Sequence, residues 1–548
     1  MPSSLFSFAV VGVLLAVGVV AQIPGSNFKD FLLKNMVVNG TIPRSFAIQP
    51  VTYYETIPED QKLHEYTEPQ FVATCGGNVS ADALNNYTFQ TEVWLTTLGL
   101  NIYDGAIRCI ALSLVGEGKA CLNYTVETLV DHKTAQFGDI RGDKECAGVM
   151  EYGQCTDPQQ AGVCGFCYGD GPSDAAKSLT VNNSYFFRLI GDFWAIEGTV
   201  DERCPALKRL WTWNDYKPIL GENAWAQLIG PIHNAVLMNN GDINSITDED
   251  PMFILGIQFL TGLEAMAVGN TGAYYYTPRN TWFGYSATAQ NIGSTVSIEN
   301  QASLLGGLKL LYDVINGKTT TQYKSVLPKL QSMITKLTTL ILSAYDRDLG
   351  FFRQGFTYDP IAGTLNWGQN GEPLFAVDCQ TWVSSVLGTR LIDTTFGDAT
   401  AYNLWQTVKL YANYSCPNGD LCGVGYTFNN ISGQVLSGEW TYGAMNWLKI
   451  MQNDSDYNST LIGNLNSDEL AMNYGLFTYV VTSTPINNST ESYDTVLYAG
   501  SRYWIPFGWF ANPLPALAST GWAVMLANSF NPFHLHGYLV GAVADWKF

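Results

Sequence analysis

The segment SGEWTYGAMNWLKIM, residues 437–451, decides the fold of this chain. Its first turn carries an acid, Glu439, and the run that follows is apolar on nearly every face, with small residues at helical spacing. A surface helix keeps one polar face, so a helix that is apolar all round is expected in the interior. Four further segments share this layout: NIYDGAIRCIALSLVG (101–116), GENAWAQLIGPIHNAV (221–236), SIENQASLLGGLKLLYDVI (297–315) and AVDCQTWVSSVLG (376–388).

In these four segments the acid again lies in the first turn of the predicted helix: Asp104, Glu222, Glu299 and Asp378. One acid in a first turn suits the helix dipole and means little, but five before buried runs predict inner helices whose N-termini point at one place. A sixth apolar segment, ALASTGWAVMLANSF, carries no acid, whereas TQYKSVLPKLQSMITKLTTLILSAYD has the one-sided charge of an outer helix. Strand-like alternation is scarce. The pattern predicts an all-α (α/α)6 toroid with few short strands.

Composition bounds the size of the core and the class of partner. The chain has 548 residues, of which 47% are hydrophobic and 14% charged, so a large core is expected and disorder is not. The net charge of −20 argues against nucleic acids and anionic membranes as partners. We expect a monomer that binds a polysaccharide or oligosaccharide.

The N-terminus and the glycosylation motifs predict secretion. Residues 1–22 are apolar and end in small residues, as a signal peptide does. Residues 23–90 are polar and weakly periodic, so we expect an arm, followed by one barrel domain over 91–548 with a Cys/Gly-rich insertion at about 117–180. Eleven N-x-S/T motifs fit a glycoprotein that is extracellular or in a cell wall.

Eleven cysteines in a secreted setting favour disulfides. Cys416 and Cys422 flank a short loop and predict a local bridge. Cys109 and Cys379 lie inside predicted inner helices and are expected to be buried thiols. The others in the N-terminal part are expected to hold long loops together: Cys75, Cys121, Cys146, Cys155, Cys164, Cys167 and Cys204.

The segments GENAWA, SIENQASLLGGL, VDCQTWVSSVLG and SGEWTYGAMNW resemble the inner-helix signatures of (α/α)6-barrel carbohydrate-active enzymes. The closing run RYWIPFGWFANPLPALASTGWAV is similar to the segment that ends such barrels. Fungal endo-β-1,2-glucanases are one secreted group with this architecture. The resemblance spans roughly residues 95 to 535 and implies a superfamily rather than one reaction, and the insertion at 117–180 departs from compact barrels of this kind.

Carboxylates beside tryptophans suit the cleavage of a glycosidic bond. Inversion needs one acid to protonate the leaving oxygen and one carboxylate to activate water, roughly 6.5–9.5 Å apart. Glu222 is the first choice for the acid and Glu439 the next, while Asp378, Glu299 and Asp104 share the same setting. We expect no metal ion and no cofactor.

Aromatic and polar residues near these acids are candidate sugar-binding groups. The set comprises Trp213, Tyr216 and Trp225 around Glu222, Arg279 and Trp282 in a loop, Gln380 and Trp382 after Asp378, and Trp440 after Glu439. Glu264, within an apolar helix, is expected to be either ion-paired or functional. The run Asp248-Glu249-Asp250 before Pro251 predicts a helix cap, and an ion pair is the expected role of Arg353.

The leading hypothesis is a secreted glycoside hydrolase that acts on a glucan or another wall polysaccharide. The first alternative is a polysaccharide lyase or sugar epimerase on the same fold, which would rely on Tyr or His with Arg279 or Arg353. The second is a non-catalytic wall or surface protein that binds glycans.

Overall fold

A computed structural model describes the helical body of the chain and part of its N-terminal region. The described residues are 28–36, 42–47, 99–130, 136–137, 150–151, 154–155, 186, 189–191, 219–277, 282–283, 290–291, 294–367, 375–426, 435–454, 456–486, 490–501, 503–505 and 509–535. The predicted signal peptide, most of the predicted arm and most of the Cys/Gly-rich insertion lie outside these ranges.

The described part is mostly helical. Its α-helices are α1 Lys29–Lys34, α2 Ile102–Leu114, α3 Gly118–Thr125, α4 Leu220–Ala224, α5 Gly230–Met238, α6 Pro251–Met266, α7 Ile298–Gly317, α8 Leu327–Ser343, α9 Val377–Leu387, α10 Thr389–Phe396, α11 Thr400–Ala412, α12 Gly438–Asp454, α13 Ser459–Tyr479 and α14 Leu517–Ala527. Short 3₁₀ turns cover Ile243–Ser245 and Gln322–Val326, and π turns cover Val126–Val130 and Trp225–Ile229.

Strands are short and antiparallel, in sheets of two or three. They are β1 Gly99–Asn101, β2 Gln136–Phe137, β3 Met150–Glu151, β4 Gln154–Cys155, β5 Leu189–Gly191, β6 Trp282–Phe283, β7 Gln290–Asn291, β8 Thr295–Ser297, β9 Tyr345–Asp346, β10 Phe351–Phe352, β11 Gly355–Asp359, β12 Thr364–Trp367, β13 Asn413–Ser415, β14 Leu421–Val424, β15 Val481–Pro485, β16 Ser492–Val496, β17 Tyr503–Ile505 and β18 Trp509–Ala511. The longest pairing joins β15 to β16 over five residue pairs.

In the described part of the chain, six inner helices form a closed ring. Each packs on the next in the order α2, α4–α5, α7, α9, α12 and α14, and α14 packs back on α2. Their side chains are buried nearly all round: in α9, every residue from Val377 to Leu387 except Asp378 is buried. All five acid-led segments and the acid-free sixth segment thus become inner helices, as the sequence pattern predicted.

The outer layer is built from helices with one apolar face. Helix α8 buries Leu330, Ile334 and Leu337 against α7 and exposes its lysines, as expected for the segment with one-sided charge. Helix α6 covers α5, the pair α10 and α11 covers α9, and α13 covers α12. The N-terminal α1 packs between α2 and α14, so this described piece of the predicted arm lies against the barrel. The architecture is an (α/α)6 toroid.

Within the described residues, four short extended segments hydrogen-bond to two successive inner helices each, and we call them tie segments. They are residues 274–276, 352–354, 424–426 and 496–498. The third residue of each accepts a hydrogen bond at its carbonyl from the first N–H of the preceding inner helix. The bonds are Leu220 N to Tyr276 O at 3.0 Å, Ile298 N to Gln354 O at 2.8 Å, Val377 N to Tyr426 O at 2.9 Å and Gly438 N to Tyr498 O at 2.9 Å. Each bond satisfies a helix N–H that has no partner within its own helix.

The first residue of each tie segment is held by a side chain of the following inner helix, always at the fourth helical position. Gln301 and Gln380 each use the whole amide: the backbone N–H of Tyr274 or Phe352 donates to Oε1, and Nε2 donates to the same residue's carbonyl, at 2.8–2.9 Å. The Thr441 hydroxyl bonds both backbone groups of Val424 at 3.0 Å, and Thr520 accepts from Val496 N at 3.0 Å.

Ser45 closes the ring with the same kind of contact. Its carbonyl accepts from Leu517 N, the first residue of α14, at 2.9 Å. Its hydroxyl accepts from Asn101 N, just before α2, at 2.8 Å. The tie segments and Ser45 therefore fix the N-termini of the inner helices relative to their neighbours around the barrel.

The second inner helix is continuous from residue 220 to 238 but contains a π turn. Pro231 has no N–H to donate to Gln227, four residues earlier, and Gly230 N bonds back five residues to Trp225 O. The wider turn accommodates the proline without ending the helix. It lies beside Trp225, whose ring occupies the centre of the barrel.

Residues 528–535, after α14, close the end of the barrel opposite the helix N-termini. Phe533 is fully buried and contacts Trp225 with ring centroids 5.3 Å apart. His233 and His534 bond backbone carbonyls, of Pro532 at 2.7 Å and Ser385 at 3.2 Å. The barrel is therefore closed at this end by a packed segment.

The cysteines agree only in part with expectation. Cys416 and Cys422 form the predicted bridge, and Cys379 is a buried free thiol as predicted. The prediction of a thiol at Cys109 is wrong, because Cys109 is bonded to Cys121 on the next helix, where the Cα atoms lie 4.8 Å apart. Of the other predicted disulfide cysteines, Cys155 ends β4, and Cys75, Cys146, Cys164, Cys167 and Cys204 lie outside the described residues. Among the described helices, none is long and apolar enough to cross a membrane.

Replacing a tie side chain should destabilise the barrel. In Gln380→Leu or Gln301→Leu, a buried backbone N–H and carbonyl lose their partners, so we expect a loss of roughly 2–4 kcal/mol in the free energy of unfolding, measured by denaturant titration. Gln258→Leu, at an exposed position of α6, is the control and should change it by less than about 0.5 kcal/mol. Equal stability of all three variants would show that the ties are dispensable.

Candidate active site

The five predicted acids lie in the first turns of inner helices. Glu299, Asp378 and Glu439 each occupy the second helical position, and Asp104 and Glu222 the third. Because the ties set these N-termini side by side, all five acids lie at one mouth of the barrel. Each carboxyl there also faces the positive end of its own helix.

Side-chain contacts connect the acids around this mouth. Asn101, before α2, donates to Glu222 Oε1 on α4 at 3.2 Å. Asn300, beside Glu299, accepts from the backbone N–H of Gly221 at 2.6 Å and donates to Glu299 Oε2 at 2.6 Å. These contacts link the first, second and third inner helices directly.

On the other side of the mouth, Tyr103 bridges the first and fifth inner helices. Its hydroxyl donates to Glu439 Oε1 at 2.6 Å and accepts from Trp522 Nε1 at 2.9 Å. A similar chain reaches Glu299, where Trp225 Nε1 donates to Ser303 Oγ at 3.1 Å and Ser303 Oγ donates to Glu299 Oε1 at 2.9 Å. The carboxyls of Glu439 and Glu299 are thus each contacted by a hydroxyl that accepts a hydrogen bond from an indole.

One helical turn below the acids, aromatic rings fill the barrel axis. Trp225 lies three residues after Glu222, and Trp382 lies four residues after Asp378. Ring centroids of Trp225, Trp382 and Trp522 lie 5.6–6.2 Å apart. Gly443 allows this packing, since a Cβ there would lie 3.0 Å from Trp382 Nε1. The carboxyls therefore stand on an apolar floor.

Burial over this floor, together with repulsion between acids, raises the pKa values of three of the carboxyls. Burial, and then the nearby charges of Asp378 and Glu439, raise the pKa of Glu299 to about 8. Burial, with contributions from Asp104 and Asp378, raises the pKa of Glu439 to about 8 against the hydrogen bond from Tyr103. Burial raises the pKa of Asp378 to about 6, limited by the hydrogen bond from the Cys379 N–H at 2.7 Å. The site thus holds neutral and ionised carboxyls together at neutral pH.

The structure places the predicted sugar-binding residues in different parts of the barrel. Gln380 is a tie residue, fully buried and bonded to backbone, so its amide does not face the mouth. Trp225 has no exposed surface and belongs to the floor. Trp382 and Trp440 are 6% and 5% exposed; Trp382 lies in the floor, and Trp440 packs on Tyr426. Trp213, Tyr216 and Arg279 lie outside the described residues, as does the side chain of Trp282.

Other candidate residues have structural roles. Glu264 forms the expected ion pair, with Lys329, but it is exposed rather than buried, because its side of α6 faces solvent. Arg353 forms its expected ion pair with Asp346. Asp250 caps α6 by accepting from Met252 N at 2.9 Å. Within the described ranges, no group of three or more His, Cys, Asp or Glu side chains is placed to hold a metal ion.

Sequence reasoning missed Tyr103, Ser303 and Trp522. Ser303 lies four residues after Glu299, and that helical spacing alone indicates a possible contact. Tyr103 precedes Asp104 in the chain but contacts an acid 336 residues away. Trp522 belongs to the inner helix without an acid and acts through Tyr103, so no local signal identifies it.

No family model matches the chain, and no curated protein matches it. Among solved structures, a sugar epimerase from a ruminal bacterium is 9% identical over 78% of this chain and 87% of its own, with a TM-score of 0.41. An unsaturated glucuronyl hydrolase from Bacillus sp. GL1 is 11% identical over 56% and 73%, with a TM-score of 0.36. An α-1,6-mannanase of Salegentibacter is 11% identical over 57% and 74%, with a TM-score of 0.32.

These enzymes belong to the (α/α)6 carbohydrate-active class that the inner-helix segments resemble. Their activities differ from one another, and at TM-scores below 0.5 none of them carries a conclusion about this chain.

The raised pKa of Glu439 predicts a pH-dependent stability cost. As the pH rises above about 4.5, the unfolded chain loses this proton before the folded one does, so stability falls until the pH reaches about 8 and then stays level. Glu439→Gln removes the cost. We expect the variant to match the wild type near pH 4 and to exceed it by roughly 1–4 kcal/mol near pH 8.5, by denaturant unfolding.

Glu264→Gln, at an exposed position, is the control for this experiment and should give a difference from wild type that changes little between the two pH values. A Glu439→Gln difference that is equally flat would contradict burial of a carboxyl with a raised pKa.

Proposed function

We propose that the chain is a glycoside hydrolase that cleaves a neutral glucan or a related wall polysaccharide. The observation that carries the proposal is the mouth of the barrel, where five carboxyls stand over an aromatic floor and where the raised pKa values of Glu299, Asp378 and Glu439 differ. Glycosidic hydrolysis needs a protonated and an ionised carboxyl in one site. Tryptophan and tyrosine around such a site also suit the apolar faces of sugar rings.

Glu439 is the proposed general acid. Glu439 is 4% exposed, and its raised pKa keeps the carboxyl protonated at neutral pH. The sequence pattern alone favoured Glu222 for this role, and Glu222 remains a candidate at the same mouth. We prefer Glu439 because its burial and its neighbours give it a proton to donate.

Asp378, on the adjacent inner helix, is the proposed general base. With a pKa near 6 it is ionised at neutral pH, so it can accept a proton from water. In the proposed reaction Glu439 gives its proton to the leaving glycosidic oxygen as the C–O bond breaks. Water attacks the anomeric carbon from the opposite face and passes a proton to Asp378, so the configuration inverts. Glu299 and Asp104 act on this pair through their charges.

The alternative functions have less support from the described residues. A polyuronate lyase needs a base beside the uronate and a cation to bind its carboxylate, and a sugar epimerase needs a base at the carbon that it inverts. The described histidines, His233 and His534, lie at the closed end of the barrel, and Arg353 is ion-paired with Asp346. Tyr103 is a poor base, because burial and Glu439 raise its pKa well above the usual value.

The first test is a polysaccharide panel on the purified, folded chain. It comprises β-1,2-, β-1,3-, β-1,4- and β-1,6-glucans, mannan and polyuronates, read for reducing ends and for the absorbance of unsaturated products. We expect reducing ends without unsaturation, and a 10²–10⁴-fold lower kcat in Glu439→Gln and in Asp378→Asn.

Glu222→Gln is included because the sequence alone favoured that residue, and Glu264→Gln, outside the mouth, is the control that should keep wild-type activity. Unsaturated product would move the assignment to a lyase. Retention on one polymer without any product would make the chain a glycan-binding protein, and full activity in Glu439→Gln would exclude the proposed acid.

The two protonation states predict a bell-shaped pH profile. Asp378 must be ionised, so kcat/KM should fall as the pH drops below about 6, and Glu439 must be protonated, so it should fall as the pH rises above about 8. Initial rates on the best substrate between pH 4.5 and 9.5 measure both limbs. A rate that keeps rising through pH 9 would contradict a neutral carboxyl as the general acid.

A further inference from the structure

The chain of hydrogen bonds from Trp522 to Glu439 has a fixed direction. An indole N–H can only donate, so the oxygen of Tyr103 accepts from Trp522 Nε1. The single hydroxyl proton of Tyr103 is then left for its other neighbour, Glu439 Oε1, at 2.6 Å. Trp522 is fully buried, so its indole N–H depends on the oxygen of Tyr103 as its acceptor.

We propose that Trp522 and Tyr103 act as a directed relay that places the acidic proton of Glu439 on Oε2. This inference rests on the proposed function, because it specifies how the general acid of that reaction is oriented. When Glu439 is neutral, Oε1 already accepts the Tyr103 proton, so the carboxyl proton resides on the other oxygen. Tyr103 is therefore a positioning residue, and Oε2 is the atom that meets the leaving oxygen.

The relay also acts after the proton has left. Proton transfer from Oε2 to the glycosidic oxygen, with cleavage of the C–O bond, leaves Glu439 as a carboxylate. The Tyr103 hydrogen bond is stronger to this anion than to the neutral acid, so it stabilises the product of the step. Tyr103 keeps its own proton throughout, since burial and the nearby Glu439 raise its pKa well above the usual value.

Other groups around Glu439 act on its charge or contact its carboxyl. Asp104, next to Tyr103 on α2, and Asp378 on α9 both raise the pKa of Glu439 by repulsion, and Glu299 on α7 lies within electrostatic range. The side chain of Tyr498, in the tie segment that holds α12, also hydrogen-bonds the carboxyl. For Tyr103, the direction of the hydrogen bond is fixed by the donor Trp522 Nε1.

The second relay explains why Glu299 does not share this role. Its Oε1 accepts from Ser303 and its Oε2 accepts from Asn300 Nδ2 at 2.6 Å. Both oxygens of Glu299 therefore already accept donors from the protein. Asn300 Nδ2 can only donate, whereas the hydroxyl of Tyr498 can also accept, so an acidic proton on Oε2 is compatible with the partners of Glu439.

The test follows the protonation of Glu439 directly and independently of activity. Protein labelled with ¹³C at the glutamate carboxyl is titrated by NMR, and the Glu439 resonance is assigned by its loss in Glu439→Gln. Tyr103→Phe should raise the pKa of Glu439 by about one unit, because a hydrogen bond that favours the anion is removed. Trp522→Phe should raise it by less, because the hydroxyl remains but is free to turn.

Tyr442→Phe is the matched control, since Tyr442 is a buried tyrosine on the same helix whose pKa is raised by burial alone. It should leave the Glu439 titration unchanged. In kinetics, Tyr103→Phe should lower kcat at least about tenfold with little change in KM, and the alkaline limb of the pH profile should move upward with the NMR titration.

An unchanged Glu439 titration in Tyr103→Phe would overturn the relay, as would an equal shift in Tyr442→Phe. If the pKa of Glu439 rises in Tyr103→Phe but is unchanged in Trp522→Phe, the Trp522 indole is not part of the relay. If the wild-type chain cleaves no polymer of the panel, the proposed hydrolase function fails, while the NMR titration still decides whether the relay exists.

Discussion

The structure depends on the hydrogen bonds between the tie segments and the ends of the inner helices. Every inner helix begins with backbone N–H groups that its own turns cannot satisfy, and in a buried helix these groups need protein partners. Each tie carbonyl supplies one partner, and a Gln or Thr one turn into the next helix binds the backbone of the same segment. The helix starts are therefore held at equal depth, and the residues of the first turns become neighbours.

Because the helix starts are aligned, the acids of the first turns lie close together at the mouth. Their closeness lowers the stability of the folded chain. The loss of water over the tryptophan rings raises the pKa of Glu299, Asp378 and Glu439, and repulsion between the carboxyls raises the pKa of Glu299 and Glu439 further. A barrel without them would be more stable at neutral pH. A cluster of polar groups that lowers the stability of the fold is characteristic of a catalytic site. The closed lower end, with Phe533 under the three tryptophans, keeps that cluster dry from below.

Much of the fold could be predicted from the sequence, because an acid followed by a run apolar on all faces has few places to go except the inside of a barrel. The convergence of the five acids followed from the same pattern. Contacts between distant elements could not be predicted. Gln380 was expected to bind sugar, since a polar side chain beside an acid and a tryptophan is typical of a subsite. Its actual partner is the backbone of β10, which the residues around Gln380 in the sequence do not indicate. Cys109 looked like a buried thiol because its disulfide partner is set by the spacing of two helices.

The most direct measurement of the central claim is a crystal structure of Glu439→Gln with an oligosaccharide product or substrate of the active polymer. The account predicts a sugar chain across the mouth of the barrel, with the glycosidic oxygen within hydrogen-bond distance of side chain 439. Asp378 should lie on the opposite face of the adjoining sugar ring, with room for one water molecule. An oligosaccharide bound away from this mouth, or with both carboxyls on one face of the ring, would contradict it.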